Sequence, residues 1–314
     1  MLGFVMKRLS LAIPTVMIVV VVVFFLVRMF PGDPAQLLLK DQATPEALAR
    51  LRHEMGLDQN VLVQFLSWLR HAASGDLGTS IVVGKPALPM ALQAYGISLT
   101  IAIPSVILAT LIAVPTGLIA AWKQNSLTDT ALVGVATLLL SVPTFWSGLL
   151  ILLLLGVTLN WFPVVGYVGL GEDPVRGALY LAMPILTLSL HEVGSLIRMA
   201  RASSLEVLRL DYVTHARAKG ASEGRVLAGH VLRNAFGPTW TLVGLIMGNL
   251  VGGIAIVETV FTIPGIGRLI VESIYQRDYP VVQACLLVVA VSYVLINMIV
   301  DLFYPLFDPR VARQ

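Results

Sequence analysis

Apolar residues dominate long stretches of this chain, and the short polar stretches between them are the informative ones. A membrane-crossing helix needs about 20 mostly apolar residues to traverse roughly 30 Å of hydrocarbon. Six stretches meet that length: 9–27, 97–121, 131–157, 178–197, 237–257 and 281–304. Each predicts a transmembrane helix. Pro14, Pro104, Pro115, Pro143 and Pro184 fall inside them. In a bundle, neighbouring helices can satisfy the carbonyls that such prolines free. The first stretch follows Lys7-Arg8, but it is long for a secretory leader, and Arg28-Met29-Phe30-Pro31 offers no small-residue cleavage site. It reads as a retained anchor.

Two polar segments separate the spans unequally. In the first, 30–96, Thr44-Pro45-Glu46 sets an N-cap, a first-turn proline and an early acid in order. Leu48, Leu51 and Met55 follow at helical spacing before Gly56, and Asp58–His71 carries Val61, Leu62, Phe65, Trp68 and Leu69. Two amphipathic helices on a membrane face are predicted. In the second, 198–236, Asp211 can cap a short helix over 212–219, Lys219 suits its C-terminal dipole, and Gly220 can take the left-handed position beyond it. Ser222 can cap a further helix to about Phe236.

Composition agrees with a bilayer solvent. The 314 residues are 57% hydrophobic and only 12% charged, where a soluble domain carries about 25% charge. Mean hydropathy is +0.86. The net charge of +3 reflects where the cations lie rather than an affinity for nucleic acid. Basic residues at 198, 201, 209, 217, 219, 225 and 233 outnumber acids at 206, 211 and 223, and Lys7, Arg8, Arg310 and Arg313 flank the outer spans. The positive-inside rule puts these segments and both termini in the cytoplasm, and 30–96 outside. The resulting division is an anchor span over 1–29, an outer segment over 30–96 and a five-span core over 97–314.

Enzyme motifs fail one by one. No G-x-x-x-x-G-K-[ST] phosphate loop occurs, His191-Glu192 lacks its second histidine, and no G-x-S-x-G elbow is present. The lone Cys285 excludes an intrachain disulfide framework. The polar residues in or near spans are His191, Glu192, Asn249, Glu258, Gln283, Asn297 and Asp301. Such groups face a bundle interior or an aqueous path. His191, Asn249 and Glu258 are the candidates for a path, with Glu258 near its outer mouth or paired with Arg268 or Arg277. Gly244, Gly248 and Gly252 form a stripe that lets another helix approach closely.

These residues resemble a known family. The run Asp211-Tyr212-Val213-Thr214-His215-Ala216-Arg217-Ala218-Lys219-Gly220, with His230-Val231-Leu232-Arg233-Asn234-Ala235 after it, resembles the coupling loop of ABC importer permeases. The likeness is greatest to the dipeptide, oligopeptide and nickel branch. Ala216, Gly220 and Leu232 match the general pattern; Thr214, His215, His230 and Arg233 replace its Glu, first Ala, Ile and Pro. Gly75-Asp76-Leu77-Gly78-Thr79-Ser80, Pro31-Gly32-Asp33-Pro34, Glu258-Thr259-Val260-Phe261, Pro264-Gly265-Ile266-Gly267, Arg277-Asp278-Tyr279-Pro280 and Asp308-Pro309-Arg310 are similar to the same branch's first permease.

The resemblance implies an all-α membrane protein with six transmembrane helices, the type I importer permease fold and a short cytoplasmic coupling helix. It implies that Asp211, Tyr212, Ala216, Arg217, Ala218, Lys219 and Gly220 couple the chain to an ATPase. A second homologous permease chain, two cytoplasmic ATPase subunits holding ATP and Mg, and a periplasmic or lipid-anchored solute-binding protein are the implied partners in a bacterial inner membrane. No cofactor is expected in this chain. The solute would be a di- or oligopeptide, with nickel or glutathione as alternatives. A secondary transporter or channel is the competing class; it would need no ATPase-docking loop.

Overall fold

The computed structural model describes residues 2–29, 34–39, 44–54 and 56–306. Motif residues Pro31-Gly32-Asp33, Asp308-Pro309-Arg310 and Met55 lie outside them. The named elements of the described chain are helices: α1 Leu2–Met29, α2 Pro34–Leu39, α3 Pro45–Glu54, α4 Val61–Ala73, α5 Ala87–Trp122, α6 Leu127–Ser141 and α7 Thr144–Ile151. After these come α8 Pro174–Leu208, α9 Asp211–Ala218, α10 Glu223–Arg225, α11 Arg233–Gly253, α12 Ala255–Val260, α13 Ile266–Tyr275 and α14 Tyr279–Phe303. Wider π turns carry α7 on through Leu152–Thr158 and join α10 to α11 through Val226–Leu232.

Four helical runs among the described residues are long and apolar enough to cross a membrane: α5, α8, Glu223–Gly253 and α14. α6 and Thr144–Thr158 qualify only as a pair, bent by 96°. Ala12–Leu26 is the apolar part of α1, which packs on α14. The predicted uninterrupted helix over 131–157 is therefore corrected to a broken one. Pro143 becomes an N-cap, with Val142 before it in extended backbone. A proline disfavours helical geometry in the residue ahead of it, and here the chain turns rather than kinks. Pro14, Pro104, Pro115 and Pro184 remain inside their helices.

The centre is the α5–α8 pair. α5 turns Ala102, Ser105, Ala109, Ala113 and Ala120 inward, each fully buried. Their spacing of three, four, four and seven forms a narrow small-residue face, which allows the close backbone approach that drives helix pairing in lipid. Leu181, Leu188, Val193, Leu196 and Ile197 of α8 and Val243, Ile246 and Leu250 of α11 complete this core. Two serines stitch it: Ser105 Oγ lies 3.3 Å from the Ile185 carbonyl, and Ser189 Oγ donates to the Ser105 carbonyl at 3.1 Å.

The outer segment forms the two expected helices, α3 and α4, plus the short α2. Thr44 Oγ1 accepts from the Ala47 amide at 3.2 Å, as an N-cap does. The second helix starts later than Asp58, because Asn60 caps it, its side chain accepting from Leu62 N at 2.9 Å. Asp58 instead pairs with His53 at 2.7 Å, and that hydrogen bond holds its carboxyl below the usual range. The segment is pinned at its far end. Asp278, 2% exposed, accepts from Ser80 Oγ and from the Ile81 amide, tying residues 80–81 to the α13–α14 turn.

Candidate functional site

α9 is the short helix expected in the inner segment, eight residues long. One detail differs: the helix begins at Asp211, and Leu210 is its N-cap without a side-chain hydrogen bond. Asp211 thus acts as a first-turn acid, favourable to the dipole. The C-terminal end follows the expectation. Gly220 has φ 81°, its amide bonds the Arg217 carbonyl at 2.9 Å, and the Ala221 amide bonds the Ala216 carbonyl at 3.2 Å. This is the Schellman closure, which needs a left-handed residue after the helix. A Cβ at Gly220 would meet nothing within 4 Å, so the positive φ alone calls for glycine.

Residues 198–236 differ from expectation on both sides of α9. α8 continues to Leu208, and the chain from Glu223 runs into α11 with no stop at Phe236. The π turns absorb the irregularity that a separate helix would have required. The effect is mechanical. Val213, 0% exposed, sits among Val207 of α8 and Val226, Val231 and Ala235 at the root of α11. Arg217 donates through Nε and Nη2 to the two Glu223 oxygens at 2.9 and 3.2 Å, bracing the turn. Asp211, Tyr212, Thr214, His215, Ala218 and Lys219 remain exposed. Partial burial raises the Tyr212 phenol above its ordinary pKa, opposed by a hydrogen bond with Asn234. Among the coupling candidates, Ala216 and Arg217 therefore face the chain, and the others face outward.

The path candidates lie on three different helices, His191 on α8, Asn249 on α11 and Glu258 on α12. Asn249 is exposed on a face of α11 shared with Pro238, Thr241 and Leu245. The glycine stripe is taken up within the chain: a Cβ at Gly244 would lie 2.4 Å from Val300, and one at Gly248 2.8 Å from Tyr293, both on α14. His191 is half-buried, and its Nδ1 finds no partner among the described residues. One turn on, Ser195 lines an open cleft of about 590 Å³ with Arg198, Arg201 and Leu242.

Glu258 is enclosed within the chain. It is 0% exposed, and its carboxylate accepts from Ser98 Oγ and from the Arg268 amide at 2.8 Å. The Arg268 guanidinium goes to Glu272 at 2.6 Å instead. Glu258 thus joins α5, α12 and α13 rather than facing solute in this conformation. An Asp129–Arg201 pair went unforeseen. Arg201 Nε and Nη2 bond the two Asp129 oxygens at 2.6 and 2.7 Å, locking α6 to α8. An acid two residues into an apolar helix, facing a basic segment, was the available signal.

Comparison with known proteins gives a consistent result. Residues 113–313 match the family described as binding-protein-dependent transport system inner membrane component, and residues 1–98 match its N-terminal companion. A Brucella abortus (strain 2308) protein named as a peptide transport system permease is 41% identical over 315 residues, covering 99% of both chains. The dipeptide transport system permease protein DppB of Alkalihalophilus pseudofirmus is 38% identical, with 99% of each chain covered. The glutathione transport system permease protein GsiC of Salmonella typhi is 39% identical over the full length of both.

Proposed function

We propose a function from one premise: the chain belongs to the family of binding-protein-dependent transport system inner membrane components. It is an all-α, multi-pass membrane permease subunit of an ABC importer. Its solute is a di- or oligopeptide, a reading supported by relatives named for peptide and dipeptide transport. It crosses the membrane six times, with both termini and 198–236 in the cytoplasm and 30–96 outside. A second homologous permease completes the path. Two cytoplasmic ATPases, which hold ATP and Mg, dock on α9, and a periplasmic or lipid-anchored binding protein delivers the solute.

The observation that carries this reading is α9 itself. It is closed at Gly220, seated by Val213 between the ends of α8 and α11, and exposed along Tyr212, His215 and Lys219. A push on α9 moves both long helices together, because its buried face shares one apolar cluster with the end of α8 and the root of α11. Closure of the ATPases on ATP then favours one access state, by the difference in ATP affinity between states. Asn249, exposed on α11, and His191 beside the α8 cleft face the path.

The test uses the assembled complex in proteoliposomes with its binding protein. ATP-dependent uptake of a labelled dipeptide is expected. Gly220→Val, which strains the left-handed position, uncouples hydrolysis from uptake or abolishes assembly; Gly220→Asn, more tolerant of that position, retains coupling. Normal uptake by Gly220→Val in an assembled complex would contradict the docking role.

A further inference from the structure

A cleft of about 360 Å³ at the outer end of the molecule has no part in the reading above. Arg28, Trp68, Asp76, Pro280 and Gln283 are among the residues that line it. Two of its side chains are hydrogen-bond donors left unused. Trp68 Nε1 and Gln283 Nε2 are both buried and find no partner among the described residues. Gln283 is 8% exposed and stands in an otherwise apolar first stretch of α14, between Val282 and Ala284. A buried N–H without an acceptor is destabilising, and native structures rarely leave one without cause. Here two share one cavity.

The cleft also holds a preset cation. Gln64 fixes its amide by donating to the carbonyls of Leu57 and Gln59 at 3.2 and 2.9 Å. Its Oε1 is thereby turned to accept from Arg28 Nη2 at 2.7 Å. The Arg28 guanidinium lies 3.6 Å from the Phe24 ring centroid, and no carboxylate pairs with it among the described residues. Donors from α1, α4 and α14 therefore line one cleft, and two of them, Trp68 Nε1 and Gln283 Nε2, have no acceptor among the described residues. The complementary ligand is an oxyanion, a phosphate or a carboxylate.

Position chooses between them. Arg28 ends the apolar helix α1, and Phe24, Phe65 and Trp68 cluster beside it with ring centroids 5.0 and 5.5 Å apart. Aromatic rings and a terminal cation at the end of a span mark the headgroup level of a bilayer. α4 exposes Leu62 and Leu66, 65% and 63%, as an apolar neighbour for acyl chains. We propose that this cleft binds the headgroup phosphate of an outer-leaflet phospholipid, with Arg28, Trp68 and Gln283 donating to its oxygens. Asp76, on the cleft lining, suits a headgroup that also carries an amine. The proposal rests on the reading proposed above, in which α1 ends and α14 begins at the outer surface.

Native mass spectrometry of the complete transporter, relipidated with phosphatidylethanolamine, counts the retained phospholipid. Wild type keeps one more lipid than Gln283→Leu, and Trp68→Phe, which preserves the aromatic packing, lowers that occupancy roughly fivefold, as loss of one hydrogen bond implies. Inorganic phosphate and a dipeptide leave wild-type occupancy unchanged. Equal retention by wild type and both variants would overturn the proposal. So would displacement of the lipid by inorganic phosphate or by the dipeptide, which would give the cleft to a soluble oxyanion. Co-purification of ATPase subunits reports separately on the permease reading.

Discussion

Glu258 shows what a single residue can conceal. In sequence it is an acid beyond an apolar run, and the cost of charge near lipid argues for an aqueous neighbour. The cost is met internally instead, by Ser98 and the amide of Arg268. The partner Ser98 lies 160 residues away, which no local pattern reveals. Removing the acceptor leaves buried donors unpaired, so Glu258→Ala destabilises the assembled complex by about 1–3 kcal/mol, read as a lower melting temperature. Gly265→Ala acts on the same staple from outside, since its Cβ would sit 2.0 Å from Glu258 Oε1. It is expected to lower the melting temperature comparably, while Glu272→Gln, whose carboxylate pairs at the surface with Arg268, changes it little. Asn249 is the opposite case. Its amide is exposed on α11, so Asn249→Leu leaves folding and basal ATP hydrolysis intact and impairs dipeptide uptake in proteoliposomes. Unimpaired uptake would make Asn249 a packing residue against a partner helix.

At the scale of elements, two of the interactions that hold α9 differ in magnitude. The Arg217–Glu223 pair has side chains 37% and 44% exposed, and such pairs contribute at most about 1 kcal/mol. Val213 is 0% exposed, and truncating a buried aliphatic side chain costs about 1–3 kcal/mol. Val213→Ala should therefore release more ATPase from the purified complex than Arg217→Gln does; the reverse order would mean that the turn brace, not the apolar seat, positions α9. The short helix was legible because its C-terminal closure is local: Gly220 and the cationic last turn are written within ten residues, while the N-cap fell one residue earlier, on Leu210. The junctions were not. Pro143 looks the same in sequence as Pro104 or Pro184, but the latter two stay inside helices packed together in the α5–α8 pair, which continue through them. α6 and α7 lack such enclosure on both sides, and there Pro143 turns the chain.

For the whole molecule, that turn decides the topology. A pair bent by 96° is either one broken crossing or a re-entrant loop, and the two alternatives put everything after it on opposite sides. If α6 and α7 re-enter, then α8 runs outward and α9 lies outside with Arg198, Arg201, Arg209, Arg217, Lys219, Arg225 and Arg233. If they cross, 159–173 is outside and those cations are inside. Residues 159–173 contain no Lys or Arg, carry Glu172 and Asp173, and hold Trp161 and Tyr167, the composition of an outer interface. The Asp129–Arg201 clamp agrees, because it ties the start of α6 to the basic end of α8, so both ends share a side. Crossing is thus the expected arrangement. It is tested with single cysteines in a Cys285→Ser background, the native thiol being fully buried. Gly171→Cys is well suited, since its Cβ meets nothing within 4 Å. A membrane-impermeant maleimide should label Gly171→Cys and Ser74→Cys in intact spheroplasts, and His215→Cys only after permeabilisation. Labelling of Gly171→Cys only after permeabilisation would make α6–α7 re-entrant and remove α9 from the reach of a cytoplasmic ATPase.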